Sequence, residues 1–153
     1  MIALLHFQQA LNEGLSIDPH QLNEDYLVMY DEPNGGKRHS YAKIINGEVQ
    51  ALAIFGLEEP INGIVCYNVG YAVHMNHRGR GLAVEAVNIG LDKLRNELSL
   101  AGVKSFYLEA VIDVVNSHSI LVAKKLFSKN GILINERDTG TLSLHFKKLI
   151  IIQ

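Results

Sequence analysis

One cysteine, Cys66, leaves the chain unable to form an internal disulfide. Neither sign of charge prevails: 14 basic and 16 acidic residues give a formal net charge of −2, with no overall pull towards phosphate backbones or anionic membranes. Nucleic acid and membrane lipid are therefore not expected partners. No apolar run approaches the roughly 18 residues that a membrane span requires, and the closing LIIIQ reads as a strand end. The opening MIALLHFQQALNEG has neither the basic flank nor the long apolar run of a signal peptide, which makes the cytoplasm the expected compartment. Repeats, linkers and low-complexity tracts are missing too. The 153 residues, 48% hydrophobic and 20% charged, are expected to form one domain, 1–153, around one sizeable core.

What is present is a change of hydrophobic period along the chain. Ile2 to Asn12 carries Leu4, Leu5, Phe7 and Leu11 in a pattern that suits a short helix stopped by Gly14, or a strand from Ile2. Ser16, Asp18 and Pro19 resemble a helix start, giving a short helical turn over 20–25. From Tyr26 the texture is β: YLVMYDE, the turn PNGG, KRHSYAKII, the turn at Asn46 and Gly47, EVQALAIFGLEE and, after Asn62 and Gly63, GIVCYNVGYAV. Asn-Gly suits tight hairpins because both central residues take positive φ, so an antiparallel meander is expected.

The period then lengthens. Ala83, Val87, Gly90, Leu91, Leu94 and Leu98 fall on one face of a long helix. SFYLEAVIDVV reads as a buried strand, after which Asn116 or Ser117 caps a helix carrying Ile120, Ala123, Leu126 and Phe127, ended by Asn130 and Gly131. ILINERD and TLSLHFKKLII form a closing hairpin. The fold class is α/β, with a mixed, mostly antiparallel central sheet flanked by helices.

The loop NHRGRG, between a strand and the long helix, is the chemically informative segment. The first amides of a helix have no partner within it, and the macrodipole favours negative charge there. Gly79 and Gly81 let a phosphate approach those amides, while Arg78 and Arg80 add side-chain charge. Other nucleotide folds fit poorly. A Walker loop would need GxxxxGK followed by serine or threonine, which does not occur. A Rossmann fingerprint would need glycine or alanine at position 84, which is Val84. Glu109 lies at the distance of a ribose contact, yet hairpins precede the loop and too little chain follows for further βαβ units.

In residues 76–83, NHRGRGLA, Asn76, Gly79 and Gly81 occupy the fixed places of a signature: glutamine or arginine, two residues, glycine, one residue, glycine or alanine. The segment resembles the pyrophosphate-binding loop of the GNAT N-acetyltransferase superfamily, with Asn76 departing at the first place. YNVGYAV, ending at Val73, looks like the family's fourth strand, and Asn116 and Ser119 match the asparagine, two residues, serine that open its next helix. The likeness covers residues 38–148. It implies the acyl-CoA N-acyltransferase fold, acetyl-CoA as acyl donor, an amine as acceptor and no metal. It assigns Val73, Arg78, Gly79, Arg80, Gly81, Leu82, Ala83 and Asn116 to acetyl-CoA. It also implies a bulge in the fourth strand that offers an N–H to the acyl carbonyl, and a splay between roughly Val73 and Glu109 that admits the pantetheine arm. The acceptor would enter from the opposite side, walled by the N-terminal helices and first hairpins.

Direct transfer in a ternary complex, which the resemblance implies, needs a neutral amine, a polarised carbonyl and a proton for the departing thiolate. The tyrosine that many relatives place seven residues after the asparagine is Ala123 here. Alanine there, after a valine and before lysines, resembles the ribosomal-protein N-terminal acetyltransferases, where a serine is placed as the acid. Ser119 is the matching candidate. A first-turn serine also serves as a local hydrogen-bonding residue, and Tyr71 or Tyr107 could supply the proton instead.

For the base, Glu109 stands out, because a carboxylate flanked by Leu108, Ala110 and Val111 is costly to desolvate. A place at a sheet edge or an ion pair with an arginine would also account for it. Glu58 and Glu59 are further candidates. A chain-terminal amine is about 3.5 kcal/mol easier to deprotonate at neutral pH than a lysine, so a weakly specified base leans towards N-termini or other low-pKa amines. An idle acyl-CoA-binding module without proton-transfer groups is the alternative that Ala123 keeps open.

His74 and His77 lack the intervening glutamate and four-residue spacing of a zinc-protease helix and are expected as rim residues holding no metal. Cys66, amid apolar neighbours, is expected to pack rather than react. Exposed edges in the closing hairpin are compatible with a homodimer, or with capping by the N-terminal segment.

Overall fold

Two Asn-Gly pairs set the framework. In the computed structural model, which describes residues 2–14, 20–135 and 140–153, Asn46 and Gly47 have φ of 51° and 79°, and Asn62 and Gly63 have 52° and 76°. Such left-handed pairs match the twist of hairpin strands. They join β3 (Arg38–Ile45) to β4 (Glu48–Ile61) and β4 to β5 (Ile64–Val73). β2 (Tyr26–Asp31) reaches β3 through a 3-10 turn at Pro33–Gly35. After α2 (Leu82–Leu100), β6 (Ser105–Asp113) runs parallel to β5, the pairing that needs a crossover helix. α3 (Ser117–Phe127) leads to β7 (Ile132–Asn135) and β8 (Leu142–Ile151), which pair antiparallel. With β1 (His20–Gln21), the strands lie in the order β1-β2-β3-β4-β5-β6-β8-β7, and β5 with β6 is the one parallel pair among them.

Strand alternation gives the sheet two faces. Tyr41, Phe55, Tyr67, Val69, Phe106, Leu108 and Phe146 pack with Val87, Leu91 and Leu94 of α2 and with Ala123 and Phe127 of α3. Leu4 and Phe7 of α1 (Ile2–Asn12) pack on the other face against Met29, Ala42, Val49 and Leu52. Helix α2 lies closest to the sheet at Gly90, where an added Cβ would meet Phe55 Cε2 at 2.6 Å and Tyr41 Cδ2 at 2.7 Å. Among the described residues no helix is long and apolar enough to cross a membrane.

The expected α1 is present, with Gly14 at φ 63° beyond its end, though Leu5 points to solvent. The proposed helix start at Ser16, Asp18 and Pro19 lies outside the described residues. The helical turn over 20–25 does not form: residues 20 and 21 pair with β2, and the Asn23 carboxamide oxygen accepts from the amides of Asp25 and Tyr26, a local turn that competes with helix. Helix α3 is capped by Asn116 and stops earlier than Asn130, at Ser128, which takes φ 53°. Gly131 answers a packing need instead, since a Cβ there would lie 2.9 Å from Leu144 Cβ and from the Phe146 ring. The closing hairpin's connection at 136–139 lies outside the described residues.

Candidate functional site

The parallel pair β5–β6 holds together over three positions, Cys66 with Tyr107, Tyr67 with Leu108 and Asn68 with Glu109. Beyond them β5 continues to Val73 and β6 to Asp113, each paired to its outer neighbour alone. The sheet therefore splits between Val73 and Glu109, as the family resemblance implied. The expected bulge is not there: β5 stays in unbroken register with β4 from Cys66 to Val73, and the shift in that hairpin lies at Glu58–Ile61. Its main chain is exposed on the β6 side by the split rather than by a bulge.

The loop after β5 opens on the same place. Gly79 and Gly81 sit at φ 78° and 73°, and Gly81 forms the left-handed N-cap of α2 with no side-chain cap. An added Cβ at either would meet nothing within 4 Å, so conformation rather than crowding calls for glycine. Glu85 N–H donates to the Gly81 carbonyl at 3.1 Å. The main-chain N–H groups of residues 78–84 have no hydrogen-bond acceptor among the described residues. Leu82 and Ala83 are buried and anchor this turn. Unpaired amides at a helix N-terminus can hold a phosphate-type anion.

A cleft of ≈ 220 Å³ lies at the split on the α2–α3 face, lined by Val73, Arg78, Ala83, Asn116, Ser119 and also Tyr71. Half of the expected donor-binding set, Val73, Arg78, Ala83 and Asn116, thus converges. Asn116 acts as the α3 cap, its carboxamide oxygen accepting from Ser119 N–H at 3.2 Å. The Tyr71 hydroxyl donates to the Ser119 carbonyl at 2.6 Å, and burial raises its pKa above the ordinary phenol value. The Ser119 hydroxyl itself has no partner among the described residues. Ala72, His118 and Val122 complete the lining; the sequence offered no signal for His118 beyond its closeness to Asn116.

Glu109 faces the other way. Its neighbours Leu108 and Ala110 are buried on the α2–α3 side, and Glu109 Oε2 lies 2.9 Å from His145 Nε2 on β8. It is neither at a sheet edge nor against an arginine, the two structural reasons expected for it: β5 and β8 flank it, and its partner is an imidazole. Cys66 is fully buried beside it. Burial first, then the Glu109 charge and hydrogen bond, push this thiol up to about 12, so it packs rather than reacts.

Other candidates fall elsewhere. Tyr107 shares the face of Glu109, with the Lys147 ammonium 5.5 Å from its ring centroid, and does not line the cleft. Glu58 and Glu59 are exposed. Arg80 turns from the cleft, its Nη1 3.3 Å from His77 Nδ1. His77 and His74 are more engaged than rim residues: His77 Nε2 lies 2.5 Å from Glu48 Oε1, and His74 Nδ1 accepts from Asn76 N–H at 3.1 Å.

A mixed sheet split between two parallel strands, with unpaired amides at a helix start beside the split, is the architecture of the acetyltransferase fold class. The sequence matches the model of the acetyltransferase (GNAT) family over residues 5–127, and the chain belongs to that family. The search of curated proteins gives no match. Solved structures share the fold. NAA60 of Arabidopsis thaliana, in complex with acetyl-CoA, superposes with a TM-score of 0.55 at 17% identity, covering 76% of this chain and 78% of that one. RimL, a ribosomal L7/L12 alpha-N-protein acetyltransferase in complex with coenzyme A, gives 0.55 at 16% identity over 76% and 64%. A GNAT-family acetyltransferase of Streptococcus pneumoniae gives 0.51 at 11% identity over 74% and 67%. The chain thus spans just under two thirds of the RimL chain.

Proposed function

We propose that this chain is an acetyl-CoA-dependent N-acetyltransferase acting through the gap between β5 and β6 on a primary amine of a small molecule or a peptide N-terminus. The observation that carries this reading is the set of unpaired main-chain N–H groups at residues 78–84, opening on a split in the sheet. Acetyl-CoA, when bound, supplies a thioester whose acyl carbon accepts the amine. The 78–84 amides and Arg78 hold its diphosphate, and Gly79, Arg80, Gly81, Leu82 and Ala83 shape and charge that cradle. Val73 and Asn116 flank the path of its arm. Ser119 supplies the proton that the leaving sulfur takes, and Glu109, held by His145, receives the proton from the amine.

The two proton-handling residues lie on opposite faces of the sheet and the split joins those faces, which suits direct transfer between two molecules bound on either side. Gly70, exposed on the Glu109 face, would leave an added Cβ in open space, so an acceptor has a path there. The lower pKa of chain-terminal amines makes them the favoured acceptors. Buried Ala123 offers no proton in place of the family's tyrosine, which supports a second reading as an idle acyl-CoA-binding module.

Titration calorimetry with acetyl-CoA, followed by thiol-release assays across small amines and peptide N-termini, tests both. Binding with turnover on some acceptor supports the enzyme. Tight binding with no turnover on any acceptor supports the module, and no binding of acetyl-CoA sinks both.

A further inference from the structure

Three potential metal ligands meet at the root of the 78–81 loop. Glu48 opens β4, His74 follows β5 and His77 ends the 3-10 turn leading into the loop, and one ligand atom of each lies within 4.8 Å of the others. Hairpin register brings them together: Ala51 pairs with Val73, and His74 N–H donates to the Gln50 carbonyl at 2.9 Å. His77 Nε2 and Glu48 Oε1 lie 2.5 Å apart, and the two imidazole centroids are 5.5 Å apart. The His77 side chain is 16% exposed and that of Glu48 44%, so the cluster is both held and reachable from solvent.

We propose that Glu48, His74 and His77 form a binding site for a divalent transition-metal ion of the zinc type. Two imidazole nitrogens and one carboxylate oxygen suit zinc, cobalt or nickel, whereas magnesium and calcium prefer all-oxygen sets. Three protein ligands leave one coordination position to water. The ion takes the place of the proton on His77 Nε2, which moves to Nδ1 of the same ring through solvent, so His77 stays neutral.

The rearrangement this requires is specific. A neutral imidazole has one nitrogen able to accept, so the Asn76 N–H bond to His74 gives way whichever ring nitrogen binds. His77, bound through Nε2, carries its proton on Nδ1. Arg80, which can only donate, must then leave Nδ1 and turn outwards. The ion therefore ties both hairpin ends to the loop and frees the Arg80 guanidinium.

Tag-free protein titrated with Zn2+ by calorimetry, and with Co2+ by visible absorption, decides the matter. One equivalent is expected to bind, with cobalt d–d bands. Glu48→Gln, whose amide oxygen still accepts the His77 hydrogen bond, and His74→Ala are each expected to weaken binding at least about tenfold, while His6→Ala leaves it unchanged. Absence of one-equivalent binding, or its survival in both Glu48→Gln and His74→Ala, overturns the site. Should either variant unfold, an NMR titration of the wild-type chain with Zn2+ gives the same decision. Shifts centred on Glu48, His74, Asn76, His77 and Arg80 support the site, and shifts that spare these residues overturn it.

Discussion

The Tyr71 hydroxyl donates a 2.6 Å hydrogen bond to the Ser119 carbonyl, tying β5 to the first turn of α3 across the split. A hydroxyl spent on that carbonyl has no second proton for a thiolate, whereas the Ser119 hydroxyl is uncommitted among the described residues. Ser119→Ala is therefore expected to lower kcat about 100-fold or more while acetyl-CoA binding by calorimetry stays near the wild-type value. Tyr71→Phe is expected to cost about 1 kcal/mol of stability in a denaturant titration and to lower kcat less than Ser119→Ala does. The reverse order would make Tyr71 the acid.

Gly79 and Gly81 hold left-handed backbone at the mouth of the cleft. Replacing either by alanine is expected to cost about 1–2 kcal/mol of stability and to weaken acetyl-CoA binding, because the amides turn away as the backbone relaxes. Calorimetry and urea unfolding on the same preparations read both effects. Full affinity in Gly81→Ala would remove this loop from the donor site.

Gly90→Ala sets two effects against each other. Alanine is better than glycine in a helix by about 1 kcal/mol, but a Cβ 2.6 Å from Phe55 Cε2 must push the helix off the sheet. Overpacking of a close-packed core typically costs about 1–3 kcal/mol, so net destabilisation is expected, and Phe55→Leu in the same chain should recover part of it. A melting temperature raised by Gly90→Ala would show that the contact yields cheaply.

These glycines also show what could be read before the fold was known. Turns at Asn46-Gly47 and Asn62-Gly63, and the helix start at Gly81, follow from local backbone preferences, so the meander and the loop were legible residue by residue. Partners set by strand register were not. His145 meets Glu109 because β8 pairs with β6 over nine positions, and Glu48 reaches His77 because β4 and β5 run back to back. Nothing within a few residues of either histidine signals its carboxylate. Tyr107 failed as an acid for the same reason: its face is decided by alternation relative to buried Phe106 and Leu108.

Acid should loosen the start of α2. Burial raises the Glu85 pKa, but the Tyr26 hydroxyl at 2.6 Å and the Lys43 ammonium at 2.9 Å outweigh it and hold the carboxyl below the usual range. A depressed carboxylate pKa means that its stabilisation is present above the unfolded pKa and lost as pH falls through the folded one. Burial first, with Lys37 adding to it and Glu97 opposing, lowers the His39 pKa below 6.5. Its contribution likewise disappears as pH falls below that value. Melting temperatures from pH 7 to pH 3 should fall in two stages. Glu85→Gln should flatten the lower stage, and an unchanged profile would count against this pairing.

Glu109→Gln removes the proposed base but keeps a hydrogen-bonding partner for His145. The expected outcome is a loss of kcat/KM of about 100-fold at neutral pH, shrinking at higher pH as the amine deprotonates unaided. His145→Gln should give a smaller loss with the same trend. A pH-independent deficit would assign Glu109 a structural task.

A sheet ordinarily has two borders, and this one carries a third inside itself, where residues 70–73 and Ala110–Asp113 present main-chain donors and acceptors that no strand takes up. Open borders invite stray strands, and this one lies beside the cleft lined by Tyr71, Val73 and Val122. A slender, extended amide-bearing chain offers the donors and acceptors that such a border can pair with. The split thus sets main-chain pairing groups beside a cleft of ≈ 220 Å³ that opens on the start of α2.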